Sequence, residues 1–354
     1  MDEQATGRAV RVEVGEGARA GARNDVTDVA GIRVGHAQRV GDGYRTGVTV
    51  VLPPAEGAVA GVDVRGAAPG TRETDLLDPR NMVERVHAIV LSGGSAYGLD
   101  AAGGVMHRLA DAGVGLPVGA EAGEVVPIVP SAVLYDLGRG GRFRAVPDAG
   151  LGALACADAE DGGAVVRGSV GAATGALVGG LAGGVGSASL VLADGTTVGA
   201  VAAVNAAGSA VDPRTGALYG AHDGLDGEFP LSLPDRAELE AWGGPAAPGG
   251  FNTTIGVVAT DLRLTKAQAA KLAGVAQDGL ARAVRPAHTM VDGDTVFVLS
   301  TGEREGDLAA FQRLLSATAS VFARTIADGV LHATGRPGAP SYRDVLPSAV
   351  SRDR

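Results

Sequence analysis

Thr253 stands where a Pro/Gly-rich lead, Gly243-Gly244-Pro245-Ala246-Ala247-Pro248, followed by Gly249-Gly250-Phe251-Asn252, runs into Thr253-Thr254-Ile255-Gly256-Val257-Val258. The lead cannot form a helix or a central strand. The β-branched run behind it predicts a buried strand that opens at Thr253. If the Asn252–Thr253 bond is cut, Thr253 carries a hydroxyl nucleophile and a free amine on one residue. Such an amine has an unperturbed pKa of about 8 and can act as general base near neutral pH. If the bond stays intact, the same residues are an ordinary loop entering a core strand. On these residues alone both readings stand.

Asp292-Gly293-Asp294 is the second cluster. Carboxylates two residues apart point the same way from an extended backbone, and Gly293 permits close approach of another segment. Like charges so near can split their pKa values and leave one carboxyl as a proton donor. The alternative is a solvent-exposed turn ahead of a strand. The histidines at 36, 87, 107, 222, 288 and 332 show no H-x-H or H-E-x-x-H spacing, so no metal site is expected, and His288 reads as a structural hydrogen-bonder. Ser92-Gly93-Gly94-Ser95-Ala96-Tyr97-Gly98 lies between a strand and a helix, the order of a phosphate cradle. Its spacing gives neither a Walker loop nor G-x-G-x-x-G, and Tyr97 breaks G-x-S-x-G. A tight loop packing a helix onto a sheet is the reading left.

The elements that must position these residues are short strands alternating with helices. Strands are expected at Ile32–Val34, Thr46–Leu52, Val62–Val64, a single one over Val86–Leu91, and Thr295–Ser300. A hairpin is expected from Leu190–Leu192 and Val198–Asn205 around Asp194-Gly195. Helices are expected over Leu99–Ala112, Ala149–Ala157, Lys266–Val284 (capped by Thr265) and Leu308–Val330. Residues 212–250 read as loop. Residues 1–22 read as a frayed tail, and the segment from Gly335 as ordered only in part. Helices sandwiching sheets fit this order.

At 354 residues the chain can bury a substantial core, yet aromatics make up only 3% of it. With 57 glycines, the core must be built from Val, Leu, Ile and Ala around close backbone approaches. A net charge of −10 and few aromatics argue against nucleic-acid partners. Cys156 is the only cysteine, which excludes a disulfide framework or zinc cluster. No uninterrupted apolar run reaches membrane-spanning length, and Met1–Thr6 is acidic without an apolar core, so a cytoplasmic protein is expected.

The ordered set Asn24–His36, Leu91–Gly98, Ser131–Asp136, Gly168–Ser189, Asn252–Asp261 and His288–Thr295 resembles the DmpA-type self-cleaving aminopeptidases. These include L-aminopeptidase/D-esterases, β-peptidyl aminopeptidases and endo-type 6-aminohexanoate-oligomer (nylon oligomer) hydrolases. The resemblance spans about residues 24 to 335. It implies an α/β, four-layer αββα sandwich of the N-terminal-nucleophile-hydrolase kind, with 23–252 and 253–354 as the two cleaved segments of one domain. It further implies Thr253 as nucleophile, Asn252–Thr253 as scissile bond, and Asp292 and Asp294 as orienting groups for the Thr253 amine and hydroxyl. Tyr135 and Asn205 match the family's tyrosine and asparagine that line the site and help hold the oxyanion. The Asn-Thr pair with Asp-Gly-Asp is similar to the nylon-oligomer branch. That branch also has a site lysine, and here its position is Gly180. The expected partners are a small peptide or amide substrate and further copies of the chain, as a tetramer of cleaved heterodimers, with no cofactor. A degenerate member that only binds small molecules is the alternative.

Overall fold

The computed structural model describes residues 17–121, 123–246 and 250–350. The expectations for residues 1–16 of the tail and 247–249 of the lead fall outside the described residues. Among the described residues the strands begin with β1 (Arg33–Gly41), β2 (Tyr44–Leu52), β3 (Ala58–Val64), β4 (Thr71–Arg72), β5 (Arg85–Val86) and β6 (Ile89–Ser92). Next come β7 (Leu116–Pro117), β8 (Val125–Val126), β9 (Ser131–Val133), β10 (Leu177–Val178) and β11 (Leu181–Ala182). The last are β12 (Val185–Val191), β13 (Thr197–Ala203), β14 (Ile255–Leu262) and β15 (Thr295–Arg304). The α-helices are α1 (Ala101–Asp111), α2 (Ala149–Asp161), α3 (Arg236–Trp242), α4 (Lys266–Ala283), α5 (Leu308–His332) and α6 (Tyr342–Val345).

Two sheets carry the architecture. One has the order β1-β2-β6-β9-β4 and the other β12-β13-β14-β15-β3-β5. Period-2 alternation divides their side chains between layers. In β2, Val51 faces the second sheet, while Val48, Val50 and Leu52 face α1 and α2. In β14, Ile255, Val257 and Ala259 lie between the sheets and Val258 faces the outer helices. Phe297 and Leu299 of β15 repeat the inward pattern, with Val296 and Val298 outward. Helices α4 and α5 cover the second sheet, as α1 and α2 cover the first. The four layers are therefore α, β, β, α, as expected. Helix α5 is long and apolar enough to cross a membrane, but its apolar window is 89% buried, as befits a core helix.

Glycine replaces aromatic bulk at the layer contacts. A Cβ on Gly186 of β12 would lie 2.0 Å from the Thr325 carbonyl oxygen of α5, so the strand admits the helix only without a side chain. Between α5 and the chain's start, Arg324 is 1% exposed and bonds Glu228 through both Nε and Nη2, while Nη2 also reaches Asn24 Oδ1. An isolated guanidinium at that depth would be very costly, so the three groups form one satisfied unit.

The fold departs from expectation in several places, and the strand expected to open at Thr253 begins at Ile255, with Thr253 just ahead of it. The single strand expected over Val86–Leu91 is divided, with β5 in one sheet and β6 in the other, because Val86 pairs with Ala58 and Ile89 with Val51. An apolar run buried throughout carries no mark of the change of partner. Residues 212–250 contain a 3₁₀ turn, Tyr219–Asp223, and α3. The segment after Gly335 is packed through residue 350: Ser341 and Asp344 cap α6 reciprocally, Tyr342 is fully buried, and its hydroxyl donates to the Gly216 carbonyl at 2.9 Å. A four-residue helix is too short to show periodicity. Within the expected tail, Arg19 exchanges two backbone bonds with Val191 at the edge of β12.

Gly186→Ala is expected to lower stability by about 1–3 kcal/mol, the scale of overpacking a closed contact. Gly103→Ala, in α1 with nothing within 4 Å of the added carbon, should leave stability level or raise it by up to about 1 kcal/mol. Urea unfolding of both variants checks this. Equal effects would contradict the packing argument.

Candidate active site

Three strand ends converge on Thr253. Strands β14 and β15 run parallel with Ile255 opposite Thr295, and β13 runs antiparallel with Ala203 opposite Ile255. Extending those registers two residues sets Thr253 between Gly293 and Asn205. The backbone confirms it. The Thr253 N–H donates to the Asn205 carbonyl at 2.7 Å, and the Gly293 N–H donates to Thr253 Oγ1 at 3.1 Å. The same hydroxyl donates to the carbonyl oxygen of Asn252. The Asn252 N–H donates to the Val291 carbonyl at 3.0 Å. Asn252 and Thr253 are 6% and 4% exposed, so the bond between them is enclosed.

Asp292 and Asp294 flank Gly293, each 1% exposed, which corrects the reading of an exposed turn. The turn is buried because its carboxylates collect N–H groups that would otherwise be orphaned at the strand ends. Asp294 accepts from the Thr254 N–H at 2.8 Å and from the His288 N–H and Nδ1 at 3.2 and 2.8 Å. Asp292 accepts from the Ala207 and Thr289 N–H groups, both at 3.1 Å, and from the Thr289 hydroxyl. Burial pushes the Asp292 carboxyl above the ordinary carboxylate range. The Thr289 hydroxyl opposes that and the Asp294 charge adds to it. Neither carboxylate bonds Thr253 in the intact chain. They fix the residues on either side of it, and the Gly293 N–H between them makes the contact.

Asn205 is fully buried, and its amide orientation follows from its partners. Arg139 Nη1 and the Leu177 N–H both point at one atom, at 2.6 and 2.9 Å, so that atom is Oδ1. Nδ2 donates to the Tyr135 carbonyl at 3.3 Å, which leaves its second N–H for another acceptor. Among the described residues Tyr135 joins the site through that carbonyl and its ring. The ring packs 5.8 Å from Phe251 and lies under the Arg139 guanidinium at 5.9 Å.

Arg139 is the residue that sequence reasoning missed. Its Nη2 reaches Asn252 Oδ1 at 3.0 Å, so one guanidinium spans Asn205 and Asn252. The available signal was an arginine four residues after Tyr135, set among Gly138, Gly140 and Gly141, of which Gly138 and Gly141 have φ of +76° and +113°. Gly180 forms the tip of the β10–β11 hairpin with Gly179, at φ +88° and +56°. Such a two-residue turn wants glycine. A Cβ there would also lie 2.7 Å from the Ala246 Cβ. A lysine does not fit that backbone. Both lysines of the chain lie on α4, and Lys266 donates to the carbonyls of Leu76, Asn81 and Val83. Among the described residues no group of three or more His, Cys, Asp or Glu side chains could hold a metal ion.

Known proteins share both fold and sequence with this chain. A β-aminopeptidase from a Burkholderia species superposes with a TM-score of 0.70 at 22% identity, covering 98% of this chain and 99% of that one. The L-aminopeptidase D-Ala-esterase/amidase of Ochrobactrum anthropi, described as a variant of the Ntn-hydrolase fold, superposes at 0.67 with 20% identity over 91% and 90%. At such identities the likeness establishes the fold. An uncharacterized aminopeptidase of Mycobacterium tuberculosis (strain ATCC 25618 / H37Rv) is 49% identical over 351 residues, 92% of this chain and 99% of the relative. The 6-aminohexanoate-oligomer endohydrolase of Kocuria sp. (strain KY2) is 32% identical over 78% of this chain and 74% of its own length. Since the signature of Peptidase family S58 matches residues 24–342, which hold every described strand and all three converging strand ends, this chain belongs to Peptidase family S58.

Proposed function

We propose that the chain cuts itself between Asn252 and Thr253, and that the freed Thr253 is the nucleophile of an aminopeptidase acting on small peptides or peptide-like amides. Membership of a peptidase family makes peptide or related amide bonds the class hydrolysed. The finer reading rests on one observation: the Thr253 hydroxyl lies against the Asn252 carbonyl while the Gly293 N–H holds its oxygen at 3.1 Å.

In self-cleavage, Oγ1 attacks the Asn252 carbonyl carbon, the C–N bond breaks, and the hydroxyl proton ends on the Thr253 nitrogen. Water then hydrolyses the ester, leaving the Asn252 carboxylate and the Thr253 amine. In turnover that amine takes the Oγ1 proton as the oxygen attacks the substrate carbonyl. The Asn205 carbonyl, 2.7 Å from the nitrogen in the intact chain, orients it. The second Nδ2 hydrogen of Asn205 serves the oxyanion, a role commonly worth ~3 kcal/mol per donor. The leaving amine receives the proton, and water releases the acid. Relatives named for 6-aminohexanoate oligomers make linear amides candidate substrates. Gly180 in the lysine's place argues for a different charge arrangement around them.

Thr253→Ala should abolish hydrolysis of an alanyl p-nitroanilide, a β-alanyl amide, a D-alanyl ester and a 6-aminohexanoate dimer, whichever of these the wild type cleaves. Retained turnover would remove Thr253 from the chemistry. Asp294→Ala should lower kcat/KM by about a hundredfold or more, the scale of lost acid–base support. It should also cost about 1–3 kcal/mol of stability, because the Thr254 and His288 N–H groups lose their acceptor. A variant as stable and as active as wild type in these two assays would return the cluster to a passive turn.

A further inference from the structure

The intact chain holds its own first substrate. The ester formed when Oγ1 attacks Asn252 is an acyl-enzyme whose acyl residue is asparagine, differing from that of an asparaginyl peptide in that Phe251 is still joined to its nitrogen. The surroundings of Asn252 therefore describe the subsite for the amino-terminal residue of a substrate. That subsite is closed, with Asn252 only 6% exposed. Its backbone N–H donates to the Val291 carbonyl at 3.0 Å, a place for the substrate's amino group. Its Oδ1 accepts from Arg139 Nη2 at 3.0 Å, while its Nδ2 reaches the Gly250 carbonyl at 3.5 Å, on the segment that withdraws with it after the cut.

Arg139 brings more charge than Asn252 uses. Its hydrogen bonds go to neutral acceptors: the Gly175 carbonyl at 3.0 Å, Asn205 Oδ1 at 2.6 Å and Asn252 Oδ1 at 3.0 Å. Burial pushes its pKa down to about 10, opposed by the Asp136 charge and helped by Arg336. Asp136 accepts from the Gly94 N–H at 2.7 Å, and burial pushes its carboxyl up to about 6. A half-buried cation without a directly bonded anion is costly, and a carboxylate on it adds an ionic attraction that a neutral acceptor lacks.

We propose that the enclosure around the Asn252 side chain is the specificity subsite of the mature enzyme and that Arg139 is its reader. It takes substrates whose amino-terminal residue bears a carboxylate or carboxamide on the β carbon, aspartyl ahead of asparaginyl. Withdrawal of Asn252 after the cut frees Nη2 for that group. Aliphatic and aromatic side chains offer Arg139 no acceptor and are taken less well. This rests on the function proposed above and adds to it the class of substrate.

The test is kcat/KM of the processed wild-type protein on aspartyl, asparaginyl, alanyl and leucyl p-nitroanilides. The aspartyl substrate should exceed the alanyl and leucyl ones by about tenfold or more, the value of a hydrogen bond between charged groups, with asparaginyl between. Arg139→Gln should slow every substrate, because Asn205 loses its clamp, and should also bring the aspartyl-to-alanyl ratio to about one. Arg139→Lys should restore part of that ratio. Alanyl turnover equal to or above aspartyl in the wild type overturns the subsite while leaving the aminopeptidase reading in place. A ratio unchanged in Arg139→Gln overturns the role of Arg139. Absence of turnover on all four, with hydrolysis of the β-alanyl, D-alanyl or 6-aminohexanoate substrate retained, overturns the subsite alone. If the variants do not fold, inhibition of the wild type decides: free aspartate should compete with the alanyl substrate at least about tenfold more strongly than leucine, and equal inhibition overturns the proposal.

Discussion

The parallel pairing of β14 with β15 is the constraint on which the rest of the site depends. Residues 253 and 293 are forty positions apart, and only a crossover can set their strands side by side in the same direction. Helix α4, capped by Thr265 and Gln268, provides it. Once Ile255 pairs with Thr295, the residues just ahead of both strands must meet. A parallel start leaves N–H groups at the strand ends without ladder partners. The Asp292 and Asp294 carboxylates accept several of them, which is why an acidic turn can be buried at the end of an apolar sheet.

The first sheet contributes through the segment that leaves β9. Tyr135 and Arg139 reach across to Asn205, so the site lies at one end of the inter-sheet layer, where both sheets deliver chain ends. The charges there are distributed rather than paired. Two carboxylates are occupied by N–H groups on one side, and a guanidinium is bound to neutral oxygens on the other. That arrangement keeps a polar constellation inside a hydrophobic fold without neutralising the cation that faces Asn252.

Much of this was legible in the sequence, and for physical reasons. The buried strand after Thr253 was visible, though it opens at Ile255, because β-branched residues are concentrated where both faces are buried. Helix α4 was visible through its cap and its 3.6-residue period. The family resemblance brought Thr253, Asn205, Tyr135 and the two aspartates together before any geometry did. Burial of Asp292 and Asp294 was not legible, because a D-G-D turn looks the same in solvent and in a closed site. Neither was the split between β5 and β6, where one apolar run serves two sheets. Arg139 was hidden for another reason: its role depends on Asn205 and Asn252, 66 and 113 residues away, and no local pattern records such partners.

Every role proposed for the site requires residue 253 to become an amino terminus. Intact-mass spectrometry with N-terminal sequencing, on protein made by protease-free cell-free synthesis and followed in time after folding, measures it directly. Two chains are expected, one ending at Asn252 and one beginning at Thr253, with turnover rising as they appear. A single uncut chain in a preparation that hydrolyses its substrate would contradict it.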